Sequence, residues 1–363
     1  MEKLKVIELF AGIGSQTQAL KNIGVGHEVV GIAEIDKYAV KSYEAIHGDV
    51  NNLGDICKIE KLPHCDLLTY SFPCQDLSVA GKGTGIKEGT RSGLLLEVER
   101  LLEVSDKPKY LLMENVKNLV GKKNKPDFDR WCKKLESMGY TNYWKVLNAK
   151  HYGIPQNRER VFMMSIFGEH EPYIFPEGFD NKVRIEDIVE DVVDDEFYLS
   201  EERIKMIKNW KAQQKPLTRI LGKESISPTL TARGAGEYHS GMVLFSENFP
   251  NTTNYEAIIN EHSKIICEQR TDEGLRFFKD NVCGTLRTID SCGDKRVIEL
   301  MYSNYRIRKL TPLECWRLMG FEDEHFLKAK SVGMSNRQLY KQAGNSIVVD
   351  VLEYIFSNLF IKN

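Results

Sequence analysis

The sequence has no long apolar run, and neither sign of charge dominates it. Stretches such as Leu94–Leu96 fall far short of the ~20 apolar residues that a membrane-crossing helix needs, so a transmembrane protein is not expected. The opening MEKLKVIELF lacks an apolar core region and a small-residue cleavage site, so secretion is not expected either. Lys and Arg number 50 against 52 Asp and Glu, for a net charge of −2. That balance excludes a globally basic nucleic-acid coat but leaves room for a local basic face. The eight cysteines (57, 65, 74, 132, 267, 283, 292 and 315) form no C-x-x-C pair, and no histidine cluster has zinc spacing. No metal is therefore expected, and the default role of each thiol is that of a small, reduced, buried hydrophobe.

What is present is globular: 363 residues, 42% hydrophobic and 10% aromatic, enough for two domains. In the first half, apolar strands (5–10, 29–36, 66–72, 109–116, 145–149, 160–167) alternate with helical stretches. This order predicts an α/β fold with a doubly wound, mostly parallel, Rossmann-like sheet. Ligands of such sheets gather at the carboxyl ends of the strands, where Phe10, Asp36, Cys74 and Glu114 fall. The character changes near residue 180. Nine acidic residues and no Lys or Arg occupy 186–202, and eight Lys/Arg then face two acids over 203–239. The bland reading is a pair of solvated faces; the sharper one is a boundary followed by a basic module that meets phosphates. From 225 to 300 helix signals give way to Gly, Thr, Ser and β-formers, which predicts a smaller, irregular, β-rich domain. The domains are drawn at 1–185, completed by a C-terminal helical segment 336–363, and at 186–335. Within the second, SPTLTARGAG (227–236) and CGTLRTIDSCG (283–293) both set Thr-Leu before a polar, Gly-containing loop.

Three sites carry chemistry. After the first strand, Gly12 and Gly14 allow close backbone approach to a nucleotide-like ligand at a helix N-terminus. Thr17 stands where the dinucleotide fingerprint has its third glycine, which weakens a pyrophosphate reading. Glu34, about 20 residues on, is placed to accept ribose hydroxyls. Cys74 follows Pro73 at a strand end and precedes a loop, 81–93, with five glycines, suited to closing over a substrate. Glu114 tips the next strand, and Arg158 and Arg160, two apart, can share one strand face.

Phe10-Ala-Gly-Ile-Gly14, Pro73-Cys-Gln75, Glu114-Asn-Val116 and Gln156-Asn-Arg-Glu-Arg160 occur in that order. Arg308-Lys-Leu-Thr-Pro-Leu-Glu-Cys-Trp-Arg-Leu-Met-Gly-Phe321 and Gly344-Asn-Ser-Ile-Val-Val349 follow. Together they resemble the DNA (cytosine-5)-methyltransferases of the bacterial and phage restriction-modification kind, from Ile7 to about Ile355, apart from the variable 180–300 region. The resemblance implies methyl transfer from S-adenosylmethionine to carbon 5 of a flipped-out cytosine in duplex DNA, leaving S-adenosylhomocysteine. It makes Cys74 the nucleophile at carbon 6, Glu114 the carboxyl at ring nitrogen 3 and the exocyclic amine, and Arg158 and Arg160 the cations that bind the base, help position Cys74 and Glu114, and favour the thiolate. The cofactor would be lined by Phe10, Gly12, Gly14, Glu34, Asp55, Ile56, Pro73, Leu94, Asn345 and Ser346. Gln75 and Ser78 would meet DNA, as would the recognition loops around Thr229, Arg233, Thr285 and Arg287. Asp76 and Ala80 depart from the usual pattern, which puts in doubt the residue that fills the vacated duplex space. The implied setting is a monomer in the cytoplasm of a bacterial or phage-infected cell; the sequence leaves open whether a cognate restriction endonuclease accompanies it. Other readings are a tRNA cytosine-5 methyltransferase, which needs no long duplex-reading region, and a non-catalytic DNA-binding regulator, which gains nothing from a reactive thiol. An exocyclic-amine methyltransferase would show a second proline where Ser71-Phe-Pro-Cys74 has its thiol, and a nicotinamide dehydrogenase would carry the third glycine.

Overall fold

A computed structural model of the chain describes residues 2–73, 93–179, 182–183, 187–198, 200 and 310–361, together with the backbone of five strands between 264 and 309. The first half builds one six-stranded sheet from β1 (Leu4–Leu9), β2 (His27–Ala33), β3 (Leu67–Tyr70), β4 (Tyr110–Val116), β5 (Tyr140–Asn148) and β7 (Glu159–Phe167). A two-residue β6 (Gln156–Asn157) lies between the last two. The order is β2-β1-β3-β4-β7-β5. β2, β1, β3 and β4 run parallel, and β7 is antiparallel to both β4 and β5. The reversal has a simple cause. α1 (Ser15–Asn22), α2 (Lys37–His47) and α3 (Leu94–Val104) supply the crossovers that parallel neighbours require, and α4 (Lys125–Ser137) joins β4 to β5. Between β5 and β7 lie only the short helical turn Ala149–His151 and β6, too little chain for such a crossover.

β1, β3 and β4 are buried on both faces, so their sequences read as apolar runs rather than alternating ones. One core cluster includes Leu9, Leu68, Met113 and α3's Leu101; another holds Val6, Leu67 and Leu112. The second cluster is completed by the far end of the chain: α5 (Pro312–Arg317), α6 (Asp323–Ser331), α7 (Asn336–Asn345) and α8 (Val349–Phe360). Trp316 is fully buried and donates its indole N–H to the Leu339 carbonyl at 3.0 Å. Phe321 and Phe326 pack against its ring. Residues 310–335 thus share the core of the first domain, whereas the division drawn on the sequence had them with the second. The sequence division followed the loss of strand–helix alternation, and these short helices return after it.

Further bonds fix the C-terminal helices on the sheet. Lys341 pairs with Asp36 at 2.7 Å. Gln342 donates to Ser42 Oγ at 2.9 Å and to the Tyr38 carbonyl at 3.0 Å. Asn22 donates to Glu353 at 2.5 Å. In the variable region, β8 (Lys264–Arg270), β9 (Gly274–Phe277), β11 (Lys295–Met301) and β12 (Asn304–Lys309) form an antiparallel sheet of order β12-β11-β8-β9. β10 (Cys283–Gly284) pairs in parallel with β6, which sets Cys283 beside Gln156 and Gly284 beside Asn157.

Candidate active site

The loop after β1 alternates left-handed residues: Phe10 at φ 59°, Gly12 at 58° and Gly14 at 80°. Phe10 donates its N–H to the Ala33 carbonyl at 2.8 Å, and Gly12 donates to Glu34 Oε2 at 2.9 Å. Asp36 N–H donates to the other Glu34 oxygen at 2.8 Å. Burial pushes the Glu34 carboxyl above its ordinary value, and these backbone donors pull it back. A Cβ on Gly14 would lie 2.5 Å from His47 Nε2 and 2.6 Å from Tyr43 Cε2, so no side chain fits there. A Cβ on Gly12 would meet nothing within 4 Å, which leaves that side of the loop open.

Asn52 joins the next part. Its side chain accepts from the N–H groups of Glu34 (3.2 Å) and Gly54 (3.0 Å), and donates to the Glu34 carbonyl at 3.0 Å. Asp55 caps the short helical turn Ile56–Lys58 through Cys57 N–H at 3.1 Å. Arg100 of α3 donates to the Ile56 carbonyl at 3.1 Å. Phe10 and Leu94 border the same apolar cluster that buries Ile56 and Phe72. The structure therefore gathers Phe10, Gly12, Gly14, Glu34, Asp55, Ile56 and Leu94 at one end of the sheet.

The carboxylate–arginine pair sits on the neighbouring strand ends. Glu114 lies on β4 and Arg160 at the start of β7, where Val116 pairs with Arg160 and Glu114 with Phe162. Arg160 Nε is 3.1 Å from Glu114 Oε1, with the two side chains only 13% and 10% exposed. Burial raises the Glu114 carboxyl, while the charges of Arg160 and Arg158 and hydrogen bonds from Ser71 and Arg160 oppose the rise. Ser71 follows β3, and Asn115 donates to the Phe72 carbonyl at 3.0 Å. The end of β3 that leads into Pro73 is thereby fixed to the strand that carries Glu114. Arg158, buried, donates to the Ser346 carbonyl at 2.9 Å and the Gly344 carbonyl at 3.3 Å. Ser346 spends its hydroxyl on the Gln342 carbonyl at 2.8 Å, and Asn345 is exposed at the end of α7.

Cys74, Gln75 and Ser78 lie outside the described residues, as do Thr229, Arg233, Thr285 and Arg287 and all of the 81–93 loop but Gly93. Four residues with clear geometry were not picked out from the sequence. Asn115 and Ser71 were quoted within motifs without a role, Asn52 carries no local signature, and Glu8 was read as part of a buried strand. An acid inside an apolar run was the signal available for Glu8. Among the described residues, no three His, Cys, Asp or Glu side chains are arranged to hold a metal, and no helix is long and apolar enough to cross a membrane.

An open, largely parallel sheet with a glycine-bent loop after β1 and a buried acid–arginine pair at neighbouring strand ends places the chain in the Rossmann-like α/β class. The sequence profile of the C-5 cytosine-specific DNA methylases matches residues 4–361, and the chain belongs to that family. It is 36% identical to the type II methyltransferase M2.ScrFI of Lactococcus lactis subsp. cremoris, covering 98% of this chain and 99% of that one. It is 34% identical to the orphan methyltransferase M.SPBetaI of Bacillus phage SPbeta, over 99% and 98%. The crystal structure of the S. pombe Dnmt2 methyltransferase shares the fold with a TM-score of 0.63 at 19% identity, covering 98% of this chain and 97% of that one.

Proposed function

We propose that this DNA cytosine-5 methyltransferase moves a methyl group from S-adenosylmethionine to carbon 5 of a cytosine flipped out of duplex DNA, through a covalent Cys74 adduct. The observation that carries the reading is the buried Glu114–Arg160 pair, joined through Ser71 and Asn115 to the strand end that leads into Cys74.

The chemistry explains why those groups belong together. Carbon 5 of cytosine is too weak a nucleophile to attack a methyl sulfonium directly. Addition of the Cys74 thiolate at carbon 6 makes an enamine whose carbon 5 can take the methyl group; loss of the carbon-5 proton and expulsion of the thiolate then restore the ring. Charge that builds on ring nitrogen 3 during the addition needs a proton. A carboxyl raised by burial is suited to supply it, and Arg160 keeps that carboxyl oriented. A base stacked in a duplex cannot reach a strand end inside the sheet, so the target must leave the helix.

Phe10, Gly12, Gly14, Glu34, Asp55, Ile56, Pro73, Leu94, Asn345 and Ser346 are assigned to the methyl donor. The residues present fit it: a loop open at Gly12, a carboxylate beside it for ribose hydroxyls, and apolar walls at Phe10, Leu94 and Ile56. The donor supplies an electrophilic methyl on sulfur; the chain holds and orients it and keeps water out. We assign recognition to a domain that starts near 200 and ends near 309, with Gln75 and Ser78 at the DNA backbone and Thr229, Arg233, Thr285 and Arg287 in its reading loops. Relatives include both type II and orphan methyltransferases, so the proposed activity does not depend on a cognate endonuclease.

A duplex with 5-fluorocytosine at the target tests the reading, because fluorine cannot leave as the proton does and the adduct persists. Wild-type protein with S-adenosylmethionine should be trapped on that duplex, and Cys74→Ser should not. Adduct formation on a different cysteine, or preferential methylation of tRNA over duplex DNA, would overturn it.

A further inference from the structure

β1 sends four consecutive fully buried side chains into the protein, and one of them is an acid: Val6, Ile7, Glu8 and Leu9. Glu8 Oε1 accepts two hydrogen bonds at 2.7 Å, from the backbone N–H and the hydroxyl of Thr17. The Thr17 hydroxyl also meets Tyr43 OH at 2.9 Å. Thr17 is in the first turn of α1, whose own N-cap, Gly14, offers no side chain. Glu8 thus caps α1 from the adjacent strand, and the two ends of the Phe10–Gly14 loop are tied to each other beneath it.

The fold alone gives no reason for this arrangement. A buried carboxylate costs several kcal/mol of desolvation, and apolar residues of similar size serve a core at least as well. The loop above it does give a reason. Phe10 is held in the left-handed region, which L residues with side chains avoid, and such conformations persist only where the surroundings over-determine them. Polar groups line part of the buried flank of the loop: Tyr43 and His47 crowd Gly14, and His47 Nε2 lies 2.9 Å from the Ile13 carbonyl oxygen. The same contact explains why Thr17 stands where the dinucleotide fingerprint has glycine. A glycine there would forfeit the hydroxyl that Glu8 and Tyr43 share.

We propose that Glu8, acting through Thr17, is a positioning residue that holds the Phe10–Gly14 loop in the shape that binds the methyl donor. The proposal rests on the assignment of that loop to S-adenosylmethionine. The residue touches no reacting atom, so it should govern donor affinity and not the chemical step.

The test compares Thr17→Val, which keeps shape but loses the hydroxyl, with Thr17→Ser, which restores it. Calorimetric titration with S-adenosylhomocysteine should show a Kd raised about tenfold in Thr17→Val and near wild type in Thr17→Ser. Turnover at saturating S-adenosylmethionine should be equal in all three proteins. Tyr43→Phe, which removes only the outer hydroxyl, should raise Kd by a smaller factor and serves if Thr17→Val does not fold. An unchanged Kd in Thr17→Val with a lowered melting temperature would reduce the network to core structure and overturn the proposal. So would a Thr17→Val defect in turnover that saturating donor does not relieve. If wild-type protein itself binds neither S-adenosylhomocysteine nor S-adenosylmethionine, the cofactor assignment fails, a result distinct from either of these.

Discussion

Arg160 reaches Glu114 across the antiparallel β4–β7 pair, Nε to Oε1 at 3.1 Å, from a position two residues out of direct register. The offset matters. Arg160 pairs with Val116, so its guanidinium approaches Glu114 from the strand end and not from within the sheet. One face of the carboxyl is thereby occupied by a fixed cation, and burial acts on the rest.

Replacement of Glu114 by Gln keeps the shape and a hydrogen-bond donor but removes the exchangeable acid. Turnover should fall by roughly 10²–10⁴, the range of a lost acid–base group. The Kd for S-adenosylhomocysteine should move by less than about twofold, because the effect belongs to the transition state. Single-turnover methylation and calorimetry on the same preparations separate the two quantities; parallel losses in both would make Glu114 a structural residue.

The strand ends were legible in the sequence because buried parallel strands read as continuous apolar runs, and Glu114 and Arg160 interrupt such runs at their ends. The acid–arginine contact was implied by the family resemblance but not legible in the residues themselves. It depends on β7 lying antiparallel beside β4, and the sequence shows β5 between them. The place of the 312–331 helices in the core was not legible for a related reason. Trp316, Phe321 and Phe326 look like any amphipathic segment until the core they enter is known. Glu8 was read only as part of a buried strand, because its partner, Thr17, is on the next element and the sequence does not show the contact.

The two arginines of the Gln-Asn-Arg-Glu-Arg motif should separate on mutation. Arg158→Ala strips two buried carbonyls, those of Gly344 and Ser346, of a charged donor. Each buried group left without its bond costs roughly 1–3 kcal/mol, so urea denaturation should show a large loss of stability. Arg160→Ala takes the cation from beside buried Glu114, whose carboxyl can take up a proton in its place, and should lower turnover with a smaller change in stability. Equal destabilisation by both would contradict the division of labour read from their partners.

Arg233 and Arg287 each follow a Thr-Leu pair, and arginine is the side chain best matched to guanine in the major groove. We expect at least one to read a base. Its change to Ala should cost roughly 1–3 kcal/mol and relax the methylated sequence at one position. A phosphate contact would instead weaken binding to all sequences and lower the salt slope by about one. Bisulfite sequencing of DNA from cells that express each variant reads the first outcome, and binding titrations at several salt concentrations read the second. Uniform weakening in both variants, with the methylated site unchanged, would assign both arginines to phosphates.

Burial lifts the Glu8 carboxyl to about 7, against the pull of the Thr17 bonds and the Lys21 charge. The folded state therefore favours the protonated form at a pH where the unfolded chain is ionised. Unfolding then releases a proton, so the Glu8 contribution to stability falls as pH rises from the ordinary carboxylate range to about 7 and levels off above it. The span corresponds to about 3 kcal/mol. His47, which burial and the Lys21 charge push down to about 3, adds a slope of the opposite sign below neutrality. Tyr43, raised by burial, stays protonated throughout. Both are present in Glu8→Gln as well, so they cancel in the difference between the two proteins. Glutamine still accepts from Thr17 through its carbonyl and has nothing to titrate. Urea denaturation at pH 5, 6, 7 and 8 should show the advantage of Glu8→Gln over wild type growing with pH and flattening near 8. A difference that stays constant across that range would mean that Glu8 does not change its charge there.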